Sequence, residues 1–134
     1  MGRRLRAYFS IAGKNKRMED FWIKNILNLI KDYSDYEDQR EVWLGLSRIK
    51  VSSYDEELCM LFDDNEFDSF ILEWKKGGKD KKTLDEMIRF RDMLNYYEDN
   101  IHQRDWTDEK VLNGLEWQKV VGQAKKVVNV WKIN

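Results

Sequence analysis

The chain has 134 residues, of which 42% are hydrophobic and 13% aromatic, so we predict one folded domain spanning residues 1–134 and exclude an intrinsically disordered chain. The formal net charge of −1 is unevenly distributed: residues 1–17 carry +6, residues 18–73 carry −10 and residues 74–134 carry +3. A near-neutral total argues against a general nucleic-acid binder. The presence of one cysteine excludes both an internal disulfide and a cysteine-based zinc site.

Residues 1–17 form a basic segment that contains no acid and includes the strongest strand candidate of the chain, at residues 4–11. Its cations lie near Tyr8 and Phe9, and positive charge beside stacking rings is typical of proteins that bind single-stranded nucleic acid. The candidate nucleic-acid-binding residues are Arg3, Arg4, Arg6, Lys14, Lys16 and Arg17. We favour a simpler interpretation, in which the segment is a solvated positive surface or an arm that neutralises the protein's own acidic region.

No apolar run has the length that a membrane span or a secretory signal requires. The apolar part of the N-terminal segment is about seven residues long, whereas a span needs roughly 18. A single cysteine in an aromatic-rich chain also suits a reducing compartment. We therefore expect a cytoplasmic protein with no membrane partner.

Helical periodicity then dominates the chain. Between residues 17 and 33, apolar side chains recur at helical spacing from Trp22 to Tyr33, with a polar stripe opposite, which predicts a central amphipathic helix. Residues 37–49 predict a weaker helix, although the part from 40 to 49 could also form a strand. Ser53, followed by Glu56, matches a capping box and predicts that another helix begins there.

Residues 54–74 form an acidic segment with no Lys or Arg, and its apolar side chains have helical spacing. We predict two short helices separated near Asp63 and Asp64, in preference to a hairpin that turns in the same place. Because eight carboxylates repel one another, a basic element is expected to lie against them, either from this protein or from a partner. These candidate partner-binding residues are Asp55, Glu56, Glu57, Asp63, Asp64, Glu66, Asp68 and Glu73.

Two longer helices are predicted after the glycine pair at residues 77–78. Thr83 and Thr107 are their expected N-caps. Residues 126–133 are rich in β-branched side chains, so the last helix could give way to a strand. The predicted fold is predominantly α, a compact domain of about five or six helices, with a short strand at either end left open.

Catalytic and metal-binding patterns are weak in this sequence. His102 is the only histidine and has carboxylates three and four residues before it, but its position near the end of a predicted helix favours a structural role. Cys59 lies beside an apolar stripe and has no nearby base in sequence. The segment at residues 63–68 lacks the glycine and an oxygen ligand of a calcium loop. We therefore predict no catalytic residue, no metal and no cofactor.

The preferred functional hypothesis is a non-enzymatic domain that binds a basic protein through the acidic segment. Acidic inhibitors of nucleases associate with their targets in this way, because complementary charge speeds association and the acids cover a site made for phosphate. The most concrete form is an immunity or antitoxin protein that inhibits a basic toxin enzyme such as a nuclease. The alternative is a nucleic-acid-binding regulator that uses the basic segment at residues 1–17.

Overall fold

Seven α-helices and two π-helical turns make up most of residues 18–133, the part of the chain that the computed structural model describes. This architecture confirms the predicted α fold, while the strand expected at residues 4–11 lies outside the described residues. The elements are α1 (Asp20–Ser34), α2 (Tyr36–Trp43), α3 (Tyr54–Leu58), π1 (Cys59–Asp64), α4 (Phe67–Lys76), α5 (Lys81–Tyr96), π2 (Tyr97–Ile101), α6 (Asp108–Leu112) and α7 (Leu115–Val130).

Neither of the strands left open within residues 18–133 is formed. Residues 40–49 complete α2 and continue into an irregular loop, and α7 extends to Val130, through most of the β-branched tail. The reason is tertiary packing: Val120 and Val127 of α7 are buried in the core, and this burial outweighs the weak strand preference of valine.

Helix α7 lies between α1 and α5, which are its two main packing partners. Its buried stripe includes Trp117, Val121 and Ala124, as the helical spacing predicts. On α1, the stripe from Trp22 to Tyr33 is buried in the same core, with the ring of Tyr33 beside Trp117 of α7 and that of Trp22 beside Phe70 of α4. The acidic segment folds back onto this core through α3, π1 and α4.

The predicted helix starts are only partly correct. Ser53 caps α3 by accepting a hydrogen bond from the Glu56 amide at 3.1 Å, and Thr107 caps α6 through the Lys110 amide at 3.2 Å. However, α6 ends at Leu112, and the long helix begins separately at Leu115. The cap of α5 is Asp80, whose side chain accepts the Thr83 amide at 2.8 Å.

Thr83, which we expected to cap α5, instead connects the two ends of the domain. Its hydroxyl is buried, lies 2.7 Å from Oδ2 of Asp80 and 3.0 Å from the Val130 carbonyl, and accepts the Lys132 amide at 2.9 Å. The hydroxyl thus joins the start of α5 to the chain that leaves α7.

Replacing Thr83 with valine should destabilise the protein by about 1–3 kcal/mol, because the isosteric side chain leaves the Lys132 amide without its acceptor. Asp80 would lose its hydroxyl partner and keep only the backbone amide of residue 83. The free energy of unfolding, measured by urea denaturation, tests this. Thr83→Ser is the matched control, since it keeps the hydroxyl and should retain most of the stability. A valine variant as stable as the parent would show that the hydroxyl contributes nothing.

Candidate functional site

The structure separates the eight predicted carboxylates into three environments. One is buried in the core, two lie close to basic side chains, and the remainder are at or near the surface of the segment from α3 to α4. Glu57 is only 7% exposed, so it is not part of a surface that could receive a partner. Of the others, Glu73 lies 3.6 Å from Lys76 and Asp68 lies 3.5 Å from Arg91. Lysine and arginine of this chain therefore compensate part of the predicted acidic surface.

Four of the carboxylates lie in α3 and π1 on either side of Cys59, and we call this group the α3 acidic face: Asp55, Glu56, Asp63 and Asp64. Asp55, Glu56 and Asp64 are exposed and Asp63 is half-buried. The thiol of Cys59 is exposed, and its pKa is raised by partial burial and then by the negative charge of these four carboxylates. The four carboxylates are therefore close enough to one thiol to act on it, although they are separated by up to nine positions in sequence.

The helix geometry explains this proximity. Asp55 and Glu56 lie one turn before Cys59, and Asp63 and Asp64 lie one turn after it, where the helix has widened to π geometry. Asp55, Glu56 and Asp63 form no ion pair with a lysine or arginine of residues 18–133. Asp55, Glu56 and Asp63 therefore place negative charge on this face that no lysine or arginine of residues 18–133 pairs with.

A turn at the end of π1 connects the segment that carries the α3 acidic face to α1. The Asn65 amide and side chain both donate to the Met60 carbonyl, at 3.1 and 2.7 Å, and close the last turn of π1. The indole Nε1 of Trp22 on α1 donates to the Asn65 carbonyl at 2.8 Å. Glu66 then adopts a left-handed backbone with φ of 49°, which reverses the chain into α4.

Beside this face, Glu57 lies in a second acidic environment that is turned inward. The Ser52 hydroxyl donates to Oε2 of Glu57 at 2.8 Å, while Oε1 is buried and has no hydrogen-bond partner among the described residues. Burial raises the pKa of Glu57 to about 7, against a smaller opposing effect of the Ser52 hydrogen bond, and the charge of Asp32 raises it further. The side chain therefore changes its protonation state near neutral pH.

His102, the candidate for acid–base chemistry, packs within an aromatic cluster. Its ring stacks on Tyr54 with centroids 4.3 Å apart, and its Nδ1 lies 3.9 Å from Oε1 of Glu98. The same Glu98 oxygen accepts the Tyr54 hydroxyl at 2.6 Å. These contacts fix the position of the ring.

Sequence reasoning overlooked the role of two buried polar residues. Gln39 is 2% exposed; its amide donates to the Asp32 and Tyr33 carbonyls, and its Oε1 accepts the indole N–H of Trp117 at 2.8 Å. Glu57 could have been recognised, because it falls three residues after Tyr54, on the apolar stripe of α3. Gln39 gave no comparable signal, because its partners come from α1 and α7.

Some predictions concern residues outside 18–133, and others concern metal sites or membrane spans, which we looked for only within that range. The six basic candidates from Arg3 to Arg17 lie outside residues 18–133. Within that range, no group of three or more His, Cys, Asp or Glu side chains is arranged to hold a metal ion. No helix in the same range is long and apolar enough to cross a membrane.

Comparison of the chain with known protein families, with curated proteins and with solved structures gave no match.

Proposed function

We propose that this protein is a non-enzymatic binding domain whose α3 acidic face receives a basic protein. The observation that carries the proposal is the placement of Asp55, Glu56, Asp63 and Asp64 one helical turn before and after Cys59, where all but the half-buried Asp63 are exposed. Such a charge arrangement steers a positively charged partner and sets its orientation on contact. The most concrete partner is a basic toxin enzyme such as a nuclease, for which this chain would be the immunity protein or antitoxin.

The proposed binding surface contains fewer carboxylates than the eight that the sequence singles out. Glu57 is buried and Glu73 lies beside Lys76, so neither adds uncompensated charge to the surface. Large apolar side chains that could anchor an interface are mostly in the core, Trp22, Trp74 and Trp117 among them. We therefore expect electrostatic attraction, rather than an exposed aromatic anchor, to dominate partner recognition at this face.

Neutralising the face should weaken capture of the basic partner about ten-fold or more, while the fold is retained. The test variant carries Asp55→Asn, Glu56→Gln, Asp63→Asn and Asp64→Asn in the full chain. The partner is first identified by tagged pull-down from the native host and then purified. Its affinity is measured by titration calorimetry at low and high salt, and its enzymatic activity is assayed with and without this protein.

A matched control neutralises four exposed acids elsewhere and so changes the net charge equally: Glu41→Gln, Asp99→Asn, Asp105→Asn and Glu109→Gln. This control should bind like the parent. Equal loss in both variants would show that only total charge matters, and unchanged binding in the test variant would contradict the proposed face. Binding that does not weaken with salt would also contradict it, because exposed charges are screened at high ionic strength.

The alternative function is nucleic-acid binding by residues 1–17, which carry six cations and no acid. It predicts that the full chain is retained on heparin at moderate salt. It also predicts that binding to a single-stranded oligonucleotide is lost when the six cations are replaced by glutamine. Passage of the intact protein through the column without retention would rule out this alternative.

A further inference from the structure

A cavity of about 190 Å³ lies between α1, α2, α3 and the loop that joins α2 to α3. Roughly 10–15 Å³ is enough for one water molecule, so the cavity can hold a larger group. Its charged lining is supplied by Asp32, Asp38, Glu57 and Lys50, and its apolar lining includes Val42, Trp43 and Met60. It is distinct from the α3 acidic face, whose four carboxylates do not line it.

The charges around this cavity are unequal. Three carboxylates line it, and Lys50 is the one lysine or arginine that does so among the described residues. The pKa of Lys50 is raised chiefly by Asp32 and then by Asp38, which shows that the ammonium lies in a negative field. Its Nζ is 3.5 Å from Oδ2 of Asp38, and its side chain is 51% exposed, so Lys50 stays at the cavity mouth.

Glu57 gives an independent indication that the cavity suits a ligand that donates a hydrogen bond. The side chain lines the cavity and is more than nine-tenths buried, yet its Oε1 accepts no hydrogen bond from the described residues. A buried carboxylate oxygen normally has a donor, because desolvation without one is costly. A cationic donor in this cavity would meet that need and also reduce the excess negative charge.

We propose that the cavity binds an alkylammonium group, either as a free small amine or as the lysine side chain of a partner. The ammonium would be held by Glu57, Asp32 and Asp38, and its methylene groups would pack on Val42 and Trp43. Lys50 competes for the same carboxylates, so removing its charge should strengthen binding. A cavity that binds no ammonium group would show no such increase in binding when the charge of Lys50 is removed.

The experiment titrates the full chain with n-butylammonium chloride at pH 8 and constant ionic strength, and follows the amide signals of Ser52, Glu57 and Met60 by NMR. We expect saturable shifts with a millimolar dissociation constant, and none with n-butanol, which lacks the charge. Lys50→Gln should tighten binding about five-fold, because it removes a competing cation. Glu57→Gln and, as a second variant on the helix surface, Asp38→Asn should each weaken it.

Two results would overturn the proposal. One is the absence of saturable shifts in both the parent and Lys50→Gln, and the other is equal shifts with sodium chloride, which would indicate an unspecific salt effect. A parallel titration with Nα-acetyl-lysinamide identifies the source: binding by both probes supports a partner's lysine, and binding by butylammonium alone supports a free amine. None of these measurements involves a protein partner, so their outcome is independent of whether the α3 acidic face binds one.

Discussion

Replacing Trp117 with alanine should lower the free energy of unfolding by about 3–5 kcal/mol, the largest effect that we expect from one substitution. The indole is fully buried and contacts the rings of Trp43, Tyr54 and Tyr97, with centroids 5.7, 5.5 and 5.2 Å away. Its loss removes these contacts, leaves a cavity, and deprives the buried Gln39 of the N–H that its oxygen accepts. Urea denaturation measures the change.

Two further variants separate the contributions to that loss. Trp117→Phe retains most of the ring packing but not the N–H donor, so it should cost about 1–3 kcal/mol. Trp106→Ala is the matched control, since this half-buried indole lies at the edge of the domain, next to Lys110 and His102. Equal stability of the two alanine variants would contradict the conclusion that Trp117 is central to the core.

Glu57→Gln should stabilise the protein at pH 8 by about 3 kcal/mol relative to the parent, and much less at pH 5. Burial raises the pKa of Glu57 from 4.5 to about 7 in the folded chain. Between pH 4.5 and about 7, the unfolded state has already released the Glu57 proton that the folded state retains. Parental stability should therefore fall as pH rises from about 4.5 to 7 and then level off, whereas glutamine is neutral throughout.

The informative quantity is the difference in unfolding free energy between variant and parent at several pH values. Other groups near Glu57, namely Asp32, Asp38 and Lys50, remain in both proteins, so most of their own titration cancels. Glu56→Gln is the control, because this neighbouring carboxylate is exposed and should produce no comparable trend. If the difference in unfolding free energy between Glu57→Gln and the parent stays constant from pH 5 to pH 8, the raised pKa of Glu57 is contradicted.

The helical segments were predictable where apolar spacing and caps agree. The stripe from Trp22 to Tyr33 and the Ser53 cap depend on interactions within a few residues, which the sequence specifies directly. The tail at residues 126–133 was ambiguous for the opposite reason. Its valines suit a helix or a strand, and burial on α7 against the rest of the core decides between them.

The candidate site was predictable only as a list of charges. The sequence indicated eight carboxylates between residues 55 and 73, but it could not indicate that Glu57 points into a cavity or that Arg91 approaches Asp68. Arg91 follows Asp68 by more than twenty positions, on a different helix. Such long-range distances depend on how helices pack, and local sequence patterns do not record them.

The sequence by itself determined the α fold, the starts of α3 and α6, and the concentration of negative charge in the acidic segment. The tertiary structure decided which carboxylates stay exposed on the α3 acidic face and which one is buried with a pKa near neutrality. It also decided that Gln39 and Thr83 become buried connections between distant helices. The physical reason is that propensity and charge are properties of short segments, whereas desolvation and hydrogen-bond partners are set by the elements that pack around each side chain.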